Sequence, residues 1–188
     1  MPTEQIVLVR HGQTEWSKAG KHTSRTDLSL IEEGRDRALA LRPELDRWSF
    51  SLVLSSPLKR ARETCELAGF GDQAQVDDHL REWDYGEYEG LTTPEIRTEN
   101  PGWDLWRDGC PGGERPEQMA ARADRALASL RTADGAALVF AHGHILRVVT
   151  ARWLQMGPEA GARFALEAGA LSVLGYERET EVLRRWNA

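Results

Sequence analysis

Cysteine is nearly missing from this chain: two of 188 residues, Cys65 and Cys110, neither in a CxxC pair. That excludes a disulfide-stapled fold and points to a reducing compartment. Long hydrophobic runs are lacking too. Continuous apolar stretches last four to six residues, against the roughly 20 a helix needs to cross a bilayer, so no membrane partner is expected. The opening MPTEQIVLVR has no basic start, long apolar core or small-residue cleavage site, which leaves the cytoplasm as the expected location. Basic residues are outnumbered, with 24 Lys and Arg against 30 Asp and Glu and a net charge of −6. A broad nucleic-acid surface is thereby disfavoured, and any bound anion must be held by individually placed arginines. No tandem repeat or low-complexity tract breaks the sequence. At this length one domain, residues 1–188, can bury a sizeable core without disulfides or metals.

What the chain does contain is a rhythm. Short apolar runs at Ile6–Arg10, Ser51–Ser56, Ala137–His142 and Leu171–Tyr176 suit strands buried on both faces, and VLRRW near the C-terminus suits an edge strand. Between them Leu30, Gly34, Ala38, Leu41 and Leu45 recur on one helical face, with Pro43 expected to end or kink that helix. Met119, Ala123, Leu127 and Leu130 form a second stripe. Alternating strands and helices predict an α/β fold with a largely parallel sheet covered on both sides. From about residue 83 to 116, Gly, Pro, Trp and acidic residues interrupt the pattern, as an inserted lid or wall over one sheet edge would. Trp83, Trp103 and Trp106 fall there and are read as packing residues.

The chemistry-bearing residues cluster at predicted strand ends. Arg10-His11-Gly12 follows one buried run and His142-Gly143-His144 another, and ligands of open α/β sheets bind at the carboxyl ends of strands. Gly12 and Gly143 permit tight turns and close backbone approach to an anion. SSPLKRARET leads from a third strand into a helix, bringing Arg60 or Arg62 to the same edge, and LREWDYGEYEG adds Glu82. Phosphoryl transfer needs a nucleophile, cations around the equatorial oxygens and an acid for the leaving alkoxide. A neutral imidazole on His11 could attack phosphorus without an activating base. Arg10 and Arg60 could grip a dianion through their planar forks, and a protonated His142 would add a third positive group. Glu82, its pKa raised in a partly closed site near another anion, could protonate the leaving oxygen and then activate water.

This ordered set resembles the histidine phosphatase superfamily, also called phosphoglycerate mutase-like. The RHG signature matches Arg10-His11-Gly12, the second arginine Arg60, the acid Glu82 and the second histidine His142 in AHGH. The resemblance implies a three-layer α/β/α sandwich, a covalent phosphohistidine on His11, and no cofactor or metal. HGQTEWSKAGKHTSRTDLSL, LREWDYGEYEGLTTPEIR, WRDGCPGGE and FAHGHILR are similar to a branch containing sedoheptulose-1,7-bisphosphatase and bacterial acid phosphatases. That comparison implies that Tyr85 and Arg147 contact substrate, that Gln13, Ser17 and Thr23 line the pocket, and that Gly143 lies against the bound group. Mutase-type members usually carry Asn at the position of Ser17 and a longer insertion, so the resemblance favours hydrolysis over isomerisation.

The expected reaction is therefore hydrolysis of small phosphomonoesters, sugar phosphates or sugar bisphosphates. A cofactor-dependent phosphoglycerate mutase and a catalytically silent phospholigand-binding protein are the alternatives, and a homodimer is left open. Other features are set aside. Cys110 opens CPGGERP, yet a cysteine-phosphatase loop needs arginine six positions on, where Pro116 stands. GFGDQA follows a predicted helix, the reverse of a dinucleotide site, and reads as a turn and helix cap. His142 and His144 would share one side of a continuing strand and could bind metal, but Gly143 and ILRVVTARW favour a strand-to-helix turn. His22 and His79 are expected to be surface or structural, and Glu32-Glu33 to open a helix.

Overall fold

Strand β1 (Gln5–Arg10) sends Ile6 and Leu8 into one buried cluster and Val7 and Val9 into another, the two-residue period of a strand covered on both faces. The computed structural model describes residues 3–188, and the same parity recurs in β4 (Ala136–Ala141), where Ala137 and Val139 oppose Leu138 and Phe140. With β2 (Phe50–Ser55), β3 (Gln75–Val76), β5 (Leu171–Glu177) and β6 (Thr180–Arg185) they form a six-stranded sheet of order β3-β2-β4-β1-β5-β6. The β1·β4, β2·β4 and β2·β3 pairs are parallel, while β5 runs antiparallel to both β1 and β6. VLRRW ends on the edge strand β6, and the four central runs form strands within about a residue of their expected bounds.

After β1 come a single helical turn, α1 (Glu15–Lys18), and then α2 (Glu32–Ala40) and α3 (Arg42–Leu45). The predicted stripe is buried from Leu30 to Leu45, and the helix breaks as anticipated, with Pro43 in the first turn of α3. Helix α4 (Lys59–Leu67) follows β2, and Gly69 (φ 95°) terminates it, so GFGDQA is a cap. Leu41, Leu45 and Cys65 place these helices on the face of Val7 and Val9. Two short helices, α5 (Thr93–Glu99) and α6 (Leu105–Asp108), precede α7 (Pro116–Leu130) and α8 (Gly143–Trp153), which cover the opposite face through Met119, Leu127, Ile145 and Val149. The fold is thus an α/β sandwich with a mostly parallel sheet between helical layers. The irregular stretch packs Trp83, Tyr85, Ile96 and Trp103 into the same cluster as α7 and α8, forming a wall rather than a detached loop. No helix among the described residues is long and apolar enough to cross a membrane.

Candidate active site

Strands β1 and β4 are parallel neighbours with Arg10 opposite Ala141, so His11 and His142 leave the same sheet edge side by side, their ring centroids 5.1 Å apart. The chain leaving β1 goes on to the layer of α2 and α3, and that leaving β4 enters α8 on the other face. This divergence opens a crevice at the carboxyl edge, the switch point where α/β sheets bind ligands. Gly12 sits at its floor. A Cβ there would lie 2.2 Å from the Gly34 carbonyl oxygen, so glycine is required for α2 to pack against the turn, and the Gly12 N–H donates to Thr64 Oγ1 at 3.0 Å.

His11 is buried and its Nδ1 lies 2.7 Å from the Gly12 carbonyl. A carbonyl only accepts, so Nδ1 carries the proton and Nε2 keeps its lone pair. Burial, then the nearby Arg60 and Arg10 guanidiniums, hold the imidazole well below the usual histidine range, which leaves it neutral at pH 7. Arg60 is fully buried and donates through Nε to His142 Nδ1 (3.1 Å) and through its Nη atoms to the carbonyls of Thr23, Ser24 and Thr26. His142 Nδ1 is therefore an acceptor, and Nε2–H donates to Ser56 Oγ at 2.7 Å. Burial and Arg60 also push the His142 pKa well down. His142 is a neutral hydrogen-bonding ring here, not the third positive group expected from sequence.

In front of His11 lies a cavity of about 160 Å³ bordered by Arg10, Glu82, Tyr85, His144, Arg147 and Lys21, among others. That is smaller than the roughly 300–1,000 Å³ of drug-sized ligand pockets, so it suits a small charged group. Arg10 donates through Nη1 to Leu166 O, and its buried Nε has no hydrogen-bond partner among the described residues. A buried unsatisfied donor costs about 1–3 kcal/mol, more when charged, and an anion's oxygen would satisfy it. Gly143 lets this guanidinium lie flat, because a Cβ would stand 3.3 Å from Arg10 Nε and Cζ.

Glu82 accepts from the backbone N–H groups of Trp83 (2.9 Å) and Ile145 (3.0 Å) at Oε1 and of His144 (3.0 Å) at Oε2. Burial favours its neutral form, but His144, His142 and these donors outweigh it and hold the carboxyl well below the usual range. The expected upward shift is thus reversed: the His144 and His142 side chains, with the His144 N–H at the start of α8, make the site prefer the carboxylate. His144, pushed down chiefly by burial, lies with Nδ1 2.6 Å from Tyr85 OH and 3.8 Å from Glu82 Oε2. Burial raises the Tyr85 phenol well above its ordinary value, so the hydroxyl keeps its proton and shares a hydrogen bond with Nδ1.

A model of the histidine phosphatase superfamily (branch 1) matches residues 6–188. The chain belongs to this superfamily. An acid phosphatase of Mycobacterium tuberculosis is 41% identical over 180 residues, 92% of this chain and 87% of that protein. A sedoheptulose 1,7-bisphosphatase of Saccharomyces cerevisiae is 38% identical over 188 residues, 82% of this chain and 69% of that protein. Among solved structures, the product of an open reading frame of Mycobacterium tuberculosis superposes with a TM-score of 0.92 at 37% identity, covering 98% of this chain and 97% of its own. Phosphatase-named relatives of this kind support a phosphatase hydrolase.

Within this histidine phosphatase, the sequence-predicted residues fall into two shells. Arg10, His11, Ser17, Thr23, Glu82, Tyr85, Gly143 and Arg147 border the cavity, whereas Arg60 and His142 lie fully buried behind His11. Arg62, the other candidate, is exposed and 4.0 Å from Glu66. Gln13 borders a neighbouring depression shared with Arg10 and Ser17. Ser17 and Thr14 cap α1 reciprocally, and Arg147 is pinned to the carbonyls of Gly161 and Ala162 with its guanidinium over Trp106. His22, expected at the surface or in a structural role, borders the cavity and is buried, its ring 4.7 Å from Tyr85 and its pKa lowered to about 4, chiefly by burial. Lys21, Thr14, Ser56 and Thr64 were not singled out by sequence. His144 was weighed as a metal ligand and set aside for a strand-to-helix turn, and α8 does begin at Gly143.

Proposed function

We propose that this histidine phosphatase hydrolyses small phosphomonoesters, sugar mono- or bisphosphates in particular, through a phosphohistidine on His11 and without a metal. The observation that carries the reading is the protonation of His11: Nδ1–H is tied to the Gly12 carbonyl, leaving a nucleophilic Nε2 beside the unpaired Arg10 Nε. In the first step the Nε2 lone pair forms a bond to phosphorus, the phosphorus–oxygen ester bond breaks, and the departing oxygen takes a proton from Glu82. Glu82 takes up that proton when the phosphate binds, because an anion beside the carboxylate disfavours its charged form and offsets the hydrogen bonds and histidine neighbours that otherwise favour it. In the second step Glu82 takes a proton from water, the oxygen bonds to phosphorus, and the phosphorus–nitrogen bond breaks to release phosphate and neutral His11. Lys21 and Arg147 at the cavity border suit the further anionic or hydroxyl groups of a sugar phosphate.

A phosphate-release screen over sugar mono- and bisphosphates and 3-phosphoglycerate, with and without EDTA, tests this reading. Inorganic phosphate should be the main product and EDTA should change the rate little. Isomerised phosphoglycerate in excess over released phosphate would instead identify a mutase, and tight binding without turnover a phospholigand-binding protein.

A further inference from the structure

Glu82 lies in a turn, residues 79–84, that no strand or α-helix holds beyond Leu80, yet a general acid and base must be fixed to within a fraction of an ångström. Three backbone N–H groups hold its carboxylate, and one ion pair restrains the backbone that carries it. Arg122, on α7, meets Glu114 in a two-pronged bridge, Nε to Oε1 at 2.8 Å and Nη2 to Oε2 at 2.7 Å. Both side chains are largely buried, 14% and 19% exposed. Arg122 also reaches the turn, Nη1 to the carbonyls of His79 (2.8 Å) and Arg81 and Nη2 to the carbonyl of Glu82 itself (3.1 Å), with Nη2 2.9 Å from Met119 Sδ on its own helix. Glu114 closes the loop from the other side. Its Oε2 accepts from Asp84 N–H at 2.9 Å, its carbonyl from Trp83 Nε1 at 3.0 Å, and its own N–H donates to the Asp84 carbonyl at 2.9 Å.

We infer that the Arg122–Glu114 pair is a positioning device for Glu82, setting the reach of its carboxyl towards the leaving oxygen and the attacking water by gripping the backbone on both sides of it. This rests on the reading of Glu82 as acid and base. A purely stabilising pair would have no reason to direct its donors to the His79, Arg81 and Glu82 carbonyls of one turn. The hydrophobic packing of α7 through Met119, Ala123 and Leu127 is present without it. Lysine at position 122 would keep a charge against Glu114 but has no planar fork with which to reach the His79 and Glu82 carbonyls together.

The test uses two leaving groups. A sugar phosphate expels a poor alkoxide and needs the acid, whereas 4-nitrophenyl phosphate expels a stable phenolate and does not. In Arg122→Gln and Glu114→Gln, kcat/KM for the sugar phosphate should fall by about 10²-fold, the scale of a 1 Å misplacement, while that for 4-nitrophenyl phosphate and inhibition by inorganic phosphate stay within about threefold. Arg122→Lys should fall between, and serves as the assay if Arg122→Gln does not fold. Introduced into Glu82→Gln, either change should cost nothing further, since the group it positions is gone. Equal losses for both substrates, weaker phosphate inhibition, or losses that multiply in the Glu82→Gln background would overturn the inference. If Glu82→Gln alone fails to separate the two leaving groups, the assignment of Glu82 is what has failed, and the inference falls with it.

Discussion

At the scale of single residues the site is a set of donors arranged around one free lone pair. His11 offers Nε2 because the Gly12 carbonyl holds the other proton, and Arg60 reaches it only through buried contacts with His142 and the carbonyls of Thr23, Ser24 and Thr26. These bonds take four of the five Arg60 N–H donors, whereas Arg10 keeps its buried Nε without a partner among the described residues, so Arg10 is the readier partner for phosphate. Glu82→Gln isolates the acid-base contribution. Its kcat on a sugar phosphate should drop by roughly 10²- to 10⁴-fold, measured against inorganic-phosphate inhibition that stays nearly constant; a loss under about fivefold would remove Glu82 from the proton path. The amide also sets N–H against the N–H of His144, where the carboxylate now accepts, so a modest loss of stability should accompany it.

At the scale of elements the important junctions are those where backbones touch. A Cβ on Gly34 in α2 would lie 2.2 Å from the Gln13 carbonyl oxygen, and one on Gly12 the same 2.2 Å from the Gly34 carbonyl oxygen. The motif turn and α2 therefore interlock, and Gly34→Ala should cost about 1–3 kcal/mol of overpacking, or roughly 2–12 °C in Tm for a chain of this size, with activity reduced as His11 shifts. Thermal unfolding followed alongside turnover checks both; an unchanged Tm would mean the junction is looser than its geometry indicates. Much of this level was legible in the sequence, because the strand parity of Ile6 to Val9, the Leu30 to Leu45 stripe and the Pro43 break are local patterns. Helix α5 could have been found as well: Thr92 and Glu95 form a capping box with Pro94 in the first turn. What escaped is long-range. His22, Ser56 and Thr64 act through partners far along the chain, Tyr85, His142 and Gly12, and no spacing rule links such pairs. The direction of the Glu82 shift was missed for a related reason, since it depends on the His144 and His142 side chains and on the His144 amide, which are distant in sequence.

At the scale of the whole molecule the site sets a pH dependence. His11, His22, His142 and His144 are all held below the ordinary histidine value, burial being the leading cause for each. Near pH 7 they are neutral in folded and unfolded chains alike and cost nothing extra. As the pH falls below about 6.5, the unfolded chain takes up protons that the folded one refuses, so stability is lost on acidification. Glu82 acts in the same direction at lower pH, because its carboxylate is favoured by the fold and that preference vanishes once it is protonated. Tm should therefore decline steadily from pH 6.5 to about 4, and His22→Gln should flatten part of that slope, since the folded His22 stays neutral down to about 4 while the unfolded one does not. A Tm independent of pH over this range would contradict the buried, neutral state assigned to these rings.

Rapid acid-free quenching of the enzyme during turnover of ³²P-labelled sugar phosphate, followed by mapping of the label, tests the central claim most directly. Acid-labile, alkali-stable phosphate should appear on His11 of the wild type at a rate no slower than turnover, and His11→Ala should lose both label and activity. Undiminished hydrolysis by His11→Ala, or label on another residue, would contradict the account.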